Sequence, residues 1–291
     1  MKDLISLHDL TSEEIQNLLK LGLKLKDEQK KGIPHPILKG KTLGMKFTKS
    51  STRTRVSFEV GMTQLGRGET IHDTAKVLER YLDGIMIRTY AHSDVIELAE
   101  EADIPVINAL TDLLHPCQVL ADLMTTYEHK GKLEGLKLAY IGDGNNMAHS
   151  LMYGCAKAGM NCAIATPSGY QCDAEVVENA KADFKASGKT LLLTEDPVEA
   201  IKNADVVYTD TWVSMGQESE KSERQKIFMP YQVNKELFAH ADSDAVFMHC
   251  LPAYRGFEVT EDVIDGAHSV IFDEAENRLH AQKAVMATLM G

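Results

Sequence analysis

The sequence is short of positive charge: 31 lysines and arginines stand against 43 aspartates and glutamates, a net charge of −12 over 291 residues. A broadly basic surface is thereby excluded, so neither nucleic acid nor an anionic membrane is expected as a general partner. A local basic pocket for a small anion remains compatible with that balance. No apolar run approaches the roughly 20 residues needed to span a bilayer. The start, Met1-Lys2-Asp3-Leu4, lacks the basic-then-apolar order of a signal peptide. Cysteine is scarce. Cys117, Cys155, Cys162, Cys172 and Cys250 are odd in number and scattered, which argues against a disulfide framework and predicts free thiols in a reducing compartment, the cytoplasm. There is no internal repeat and no low-complexity tract. What is present, 44% apolar and 25% charged residues, is the composition of a soluble globular protein, long enough for one large domain or two ordinary ones.

Thr11-Ser12-Glu13-Glu14 has the form of a capping box, and Ile15, Leu18, Leu19 and Leu23 follow at helical spacing. That helix is expected to end near Gly32-Ile33-Pro34. Short apolar runs then alternate with helical segments. Strands are expected at 42–47, 84–87, 105–108, 136–141, 163–165, 191–193, 206–208 and 245–248. Helices are expected at 94–102, 118–130 and 274–289. Gly131-Lys132-Leu133-Glu134-Gly135 reads as a linker. Alternation of this kind predicts an α/β protein of two doubly wound domains, each a mainly parallel sheet flanked by helices. Ligands of such sheets sit outside the strand C-termini.

The motifs fall at those strand ends. Ser51-Thr52-Arg53-Thr54-Arg55 lies between an apolar run and a helical one. Two hydroxyls and a guanidinium therefore meet the unpaired N–H groups of a helix start, a site suited to phosphate; the plain alternative is an N-cap with incidental arginines. Arg88 closes the run Gly84-Ile85-Met86-Ile87, where a buried guanidinium needs an anionic or carbonyl partner. His115-Pro116-Cys117-Gln118 opens a helix, and His115 and Gln118 can donate from its start to a carbonyl oxygen. His115 and Cys117 do not read as a zinc site, because no second ligand pair with the usual spacing exists. Gly142-Asp143-Gly144-Asn145-Asn146-Met147 invites a dinucleotide reading, but Met147 stands where the third glycine of that fingerprint belongs. Its amides suit a polar substrate group or a simple turn. Asp210, followed by Thr211-Trp212-Val213-Ser214-Met215-Gly216, is a carboxylate at a strand tip, placed to hold an ammonium group. His249-Cys250-Leu251-Pro252-Ala253 ends a further strand. There Cys250 reads either as a low-pKa nucleophile or, the favoured reading, as a hydrogen-bonding group near a reacting amine. Arg278 lies on the last helix.

Taken together these motifs resemble the transcarbamylase family over nearly the whole chain. The STRTR and HPCQ segments look like its carbamoyl-phosphate motifs, and the DTWVSMG and HCLPA segments like those of its ornithine-specific members. The resemblance implies transfer of the carbamoyl group of carbamoyl phosphate to the side-chain amine of L-ornithine, with no metal or organic cofactor. It implies a carbamoyl-phosphate domain (1–132 plus 273–291), an ornithine domain (133–272), a C-terminal helix packed back on the first domain, and a homotrimer or a multiple of it. It implies that Ser51, Thr52, Arg53, Thr54, Arg88, His115, Gln118, Cys250, Leu251 and Arg278 meet carbamoyl phosphate. Asn146, Asp210, Ser214 and Met215 would meet ornithine, and Arg88, His115, Asp210 and Cys250 would carry the chemistry. Two alternatives stand beside it: a sister enzyme with another amine acceptor, and a binding homologue without turnover.

One departure bears on the second alternative, although every other motif is intact. The family carries a strand and a loop between the equivalents of Gly66 and Arg67, with a glutamine that reaches a neighbouring subunit's carbamoyl phosphate. Here Gly66 runs directly into Arg67, and no residue inherits that role. Lys46, within an apolar run, is expected to bring its ammonium to solvent or a carboxylate, because an unpaired buried one is costly.

Overall fold

A computed structural model describes residues 1–47, 70–213 and 220–291. Ser51, Thr52, Arg53, Thr54, the Gly66–Arg67 junction, Ser214 and Met215 lie outside the described residues. The chain forms two compact units, Met1–Met124 with Asn277–Gly291, and Thr125–Glu276.

In the first unit, helix α1 (Ser12–Lys30) starts as its sequence dictates. The Thr11 side chain accepts from the Glu14 N–H at 3.1 Å, and the Glu14 carboxylate accepts from the Thr11 N–H at 2.9 Å, so two otherwise unpaired donors are satisfied. Three parallel strands follow among the described residues: β1 (Leu43–Phe47), β2 (Gly84–Arg88) and β3 (Val106–Leu110), in that spatial order. Helix α2 (Ile71–Leu78) precedes β2, α3 (His92–Glu101) precedes β3, and α4 (Pro116–Lys130) follows it. Ile85, Ile87, Val95, Leu98 and Val106 are fully buried where strands and helices meet. Lys46 is half-buried at the end of β1, in keeping with an ammonium that is not sealed in the core. Strand β3 runs two residues past the expected Asn108, because Arg88 pairs with Leu110 across a register shift. Helix α4 begins at Pro116, two residues before the expected start, since a proline in the first turn gives up an N–H that has no helical partner.

The second unit holds β4 (Lys137–Ile141), α5 (Asn146–Ala158), β5 (Asn161–Ala165), α6 (Ala174–Ser187), β6 (Leu191–Thr194), α7 (Pro197–Ile201) and β7 (Val206–Tyr208). It continues with α8 (Lys221–Phe228), α9 (Lys235–Phe238), β8 (Val246–Met248) and α10 (Glu261–Ile264). All strand pairs are parallel, in the order β6-β5-β4-β7-β8. This is a doubly wound sheet whose winding reverses between β4 and β7. Its core joins Ala139, Ile141, Ala163, Val207 and Phe247 with Ile201 and Ile264.

The last helix, α11 (Ile271–Met290), starts three residues earlier than its periodicity predicts. From Asn277 onward it packs within the first unit. A Cβ placed on Gly22 of α1 would lie 3.1 Å from Met124 Sδ and 3.8 Å from Ala284 Cβ, so the close approach of the helices depends on that glycine. The buried Lys26 ammonium donates to Asn277 Oδ1 at 2.8 Å. No helix among the described residues is long and apolar enough to cross a membrane.

Candidate functional site

The winding reversal of the second unit sets two strand ends side by side, β4 leading to Gly142-Asp143-Gly144-Asn145 and β7 to Asp210. The first turn is shaped by a glycine. A Cβ on Gly144 would lie 2.4 Å from Cys172 N and from Gln171 C, while the Gly144 N–H donates to Tyr170 O at 2.9 Å. Only a residue without a side chain fits there. Asn145 then caps α5, its Oδ1 accepting from the Met147 and Ala148 N–H groups at 2.9 and 3.3 Å. Its Nδ2 donates to Asp210 Oδ2 at 3.0 Å. Burial pushes the Tyr140 hydroxyl well above its ordinary pKa; it stays protonated and donates to Asn145 Oδ1 at 3.3 Å.

Asp210 is 8% exposed. Its Oδ1 accepts from the Thr211 N–H at 2.7 Å and from Cys250 Sγ at 3.2 Å. Asp210, His249 and Cys250 bring a carboxylate, an imidazole and a thiol within 4.8 Å of one another. Their hydrogen bonds define their use: the thiol donates to the carboxylate, and His249 Nδ1 accepts from the Leu251 N–H at 2.9 Å. Leu251 has φ +56, a left-handed conformation uncommon for a leucine. The structure thus brings Asp210, Cys250 and Leu251 to one edge of the sheet, with Asn146 half-buried as the first residue of α5.

Two contributors were missed by the sequence reading. Asn145 makes a bond to Asp210 that the motif reading did not assign; the N-cap preference marks this residue as the start of α5 but does not disclose its partner at the end of β7. Arg224 is the other. Buried on α8, it donates from both terminal nitrogens to Asp143 Oδ2 at 3.0 Å and from Nε to Glu220 at 3.2 Å, and its guanidinium lies 4.8 Å from the Tyr170 ring centre. Burial pushes the Asp143 carboxyl up to about 6 against the opposing pull of Arg224.

In the first unit the donors also gather at strand ends. Arg88, the last residue of β2, is buried at 6% exposure beside the end of β3. His115 and Gln118, both buried, flank the start of α4, and Gln118 Nε2 donates to Asp122 Oδ1 at 2.8 Å. That bond fixes which way the amide faces, and Asp122 is a further residue the motif reading passed over. Arg278 is buried on α11. Cys117 is a structural thiol: its Sγ donates to Asn108 O at 3.3 Å, and burial, only partly offset by Arg278, raises it to about 12. A guanidinium is a fork of donors with no acceptor, so these side chains are equipped for an anion or a carbonyl oxygen.

Comparison with known proteins divides the chain close to the boundary after Met124, with α11 matched to the second family model. Residues 2–128 match the family model of the aspartate/ornithine carbamoyltransferase carbamoyl-P binding domain, and residues 134–289 that of the Asp/Orn binding domain. The chain is 61% identical over 304 residues to an ornithine carbamoyltransferase of Carboxydothermus hydrogenoformans, covering 100% of this chain and 98% of the relative. It is 56% identical to that of Thermococcus kodakarensis, covering 100% and 96%. The solved structure of ornithine carbamoyltransferase from Pyrococcus furiosus superposes with a TM-score of 0.95 at 55% identity, covering 100% of this chain and 97% of that one.

Proposed function

The chain belongs to the aspartate/ornithine carbamoyltransferase family, and from that premise we infer that it is an enzyme transferring the carbamoyl group of carbamoyl phosphate to the side-chain amine of L-ornithine, giving L-citrulline and phosphate. The observation that carries the acceptor side is the Asp210 carboxylate, buried at a strand tip and already bonded to an amide and a thiol. A carboxylate so held keeps its direction when an ammonium group arrives.

The chemistry follows from the donors. The ornithine side-chain amine, as its neutral form, attacks the carbonyl carbon of carbamoyl phosphate. The bond from that carbon to the phosphate oxygen breaks, and the proton lost by nitrogen passes to the departing phosphate. Arg88 and His115 polarise the carbonyl oxygen and stabilise the negative charge it gains. Ser51, Thr52, Arg53 and Thr54 hold the phosphate, Gln118 and Arg278 orient the carbamoyl group, and Cys250 and Leu251 border the reacting carbon. Asp210 and Cys250 direct the amine, with Asn146, Ser214 and Met215 on the amino-acid end. Residues 1–132 with 273–291 serve carbamoyl phosphate and 133–272 serve ornithine. Free thiols and an acidic composition suit the cytoplasm, and a homotrimer is the assembly this family reading implies; sedimentation at three times the 32.2 kDa chain mass is expected, and a monomer would refute it.

The test is citrulline formation by the purified chain and by Asp210→Asn. The variant is expected to lose about 100-fold or more in kcat/KM for ornithine, the scale of a misplaced acid–base group, with the KM for carbamoyl phosphate little changed. Turnover of ornithine by Asp210→Asn at the parental rate would overturn the assignment of the acceptor site.

A further inference from the structure

The loop after β8 carries Cys250 and Leu251 into the site in a backbone shape that a leucine does not adopt unaided, with φ +56 at Leu251. Something must hold it. The groups that do so are buried and belong to a residue for which the reaction above has no use. The His249 N–H donates to Glu274 Oε2 at 2.8 Å, and the same carboxylate accepts from the Tyr208 hydroxyl at 3.0 Å. His249 Nδ1 accepts from the Leu251 N–H at 2.9 Å. An imidazole nitrogen that accepts from an amide carries no proton, so the neutral ring bears its hydrogen on Nε2. Nε2 makes no hydrogen bond among the described residues, but the Glu258 carboxylate stands 3.4 Å away, its Oε1 accepting from the Tyr254 N–H at 2.5 Å. His249 and Glu258 are each 1% exposed and Glu274 is fully buried.

We propose that His249 is the positioning residue of the acceptor site: its Nδ1, accepting from the Leu251 N–H, sets the backbone around Cys250 so that the thiol meets Asp210, while the nearby Glu258 carboxylate on the far side favours the proton on Nε2. His249 touches no substrate in this scheme. It acts through two backbone atoms, and its loss blurs where the amine is held without removing any group that meets it. The inference rests on the ornithine reading given above.

Asparagine and glutamine separate the two ring nitrogens. The carbonyl oxygen of asparagine occupies the place of Nδ1, and the amide of glutamine that of Nε2. His249→Asn therefore keeps the acceptor for Leu251 and gives up the reach to Glu258; His249→Gln does the reverse. With L-ornithine as varied substrate, His249→Asn is expected to stay within about threefold of the parent in kcat/KM. His249→Gln is expected to lose about tenfold or more, through a raised KM for ornithine as well as a lower kcat. The KM for carbamoyl phosphate and the unfolding midpoint serve as controls for a general loss of structure. Equal effects of the two changes, or a better enzyme with glutamine, would overturn the proposal. Dissociation constants for L-ornithine, measured by calorimetry on both variants and the parent, follow the same order without needing turnover. If the parent binds ornithine but forms no citrulline, the reaction reading fails while the order asparagine-above-glutamine still judges the role of His249.

Discussion

Asp143 illustrates how a side chain in this molecule trades stability for placement. Its carboxyl is raised from 3.8 to about 6, first by burial, with Arg224 opposing. A folded-state value above the unfolded one means that the native state binds the extra proton between about pH 4 and 6. The stabilising contribution of Asp143 is then fully present below the unfolded value and is lost as pH rises through about 6. Keeping the ionised form buried at pH 7 costs about 3 kcal/mol relative to the protonated form. Arg224 limits that cost and in exchange ties α8 to the turn after β4. The difference in unfolding free energy between the parent and Asp143→Asn, measured in urea across pH 4.5 to 7.5, is expected to shift against the parent as pH rises. A pH-independent difference would mean that Asp143 does not titrate in this range.

Among the elements, the turn between β4 and α5 depends most on a single residue. The backbone of residues 171–172 lies where any side chain at position 144 would go, and backbone cannot step aside as a flexible side chain can. Gly144→Ala is expected to destabilise by about 2 kcal/mol or more and to weaken ornithine use, because Asn145 moves with the turn and Asp210 loses its amide partner; unchanged stability and kinetics would show that the turn yields freely. The same element marks what a sequence reader can reach. Alternation of apolar runs with helical spacing was enough for parallel sheets and for most strand positions, since buried parallel strands are short apolar blocks wherever they occur. The capping box at Thr11 and Glu14 was legible because both partners lie within four residues. The order β6-β5-β4-β7-β8 was not legible, nor was the pairing of Arg224 with Asp143, 81 residues away. Such pairings are decided by which surfaces meet, and no local pattern records that. The bond of Asn145 to Asp210, 65 residues apart, was out of reach for the same reason.

At the scale of the molecule, an acidic chain of net −12 still concentrates buried donors: Arg88 and His115 within the residues that match the carbamoyl-P binding domain, and Arg278 on α11, which packs within the first unit. Local hydrogen-bond geometry, rather than the overall field, must then select the anion. The five thiols are distributed with comparable economy. Cys117, Cys155 and Cys162 are buried, and Cys172, though half-buried, is raised to about 12 by burial and by Asp143. A thiolate-seeking reagent offered to the native protein therefore finds these four unreceptive, and the fifth, Cys250, is half-buried and donates to the Asp210 carboxylate. An alkylating reagent that reaches Cys250 would therefore report on the proposed acceptor site alone. One alkylation, read as one mass increment and slowed by ornithine, is the expected outcome, and it would turn a sulfur atom of the site into a gauge of its own occupancy; labelling at the same rate with and without ornithine would separate Cys250 from that site.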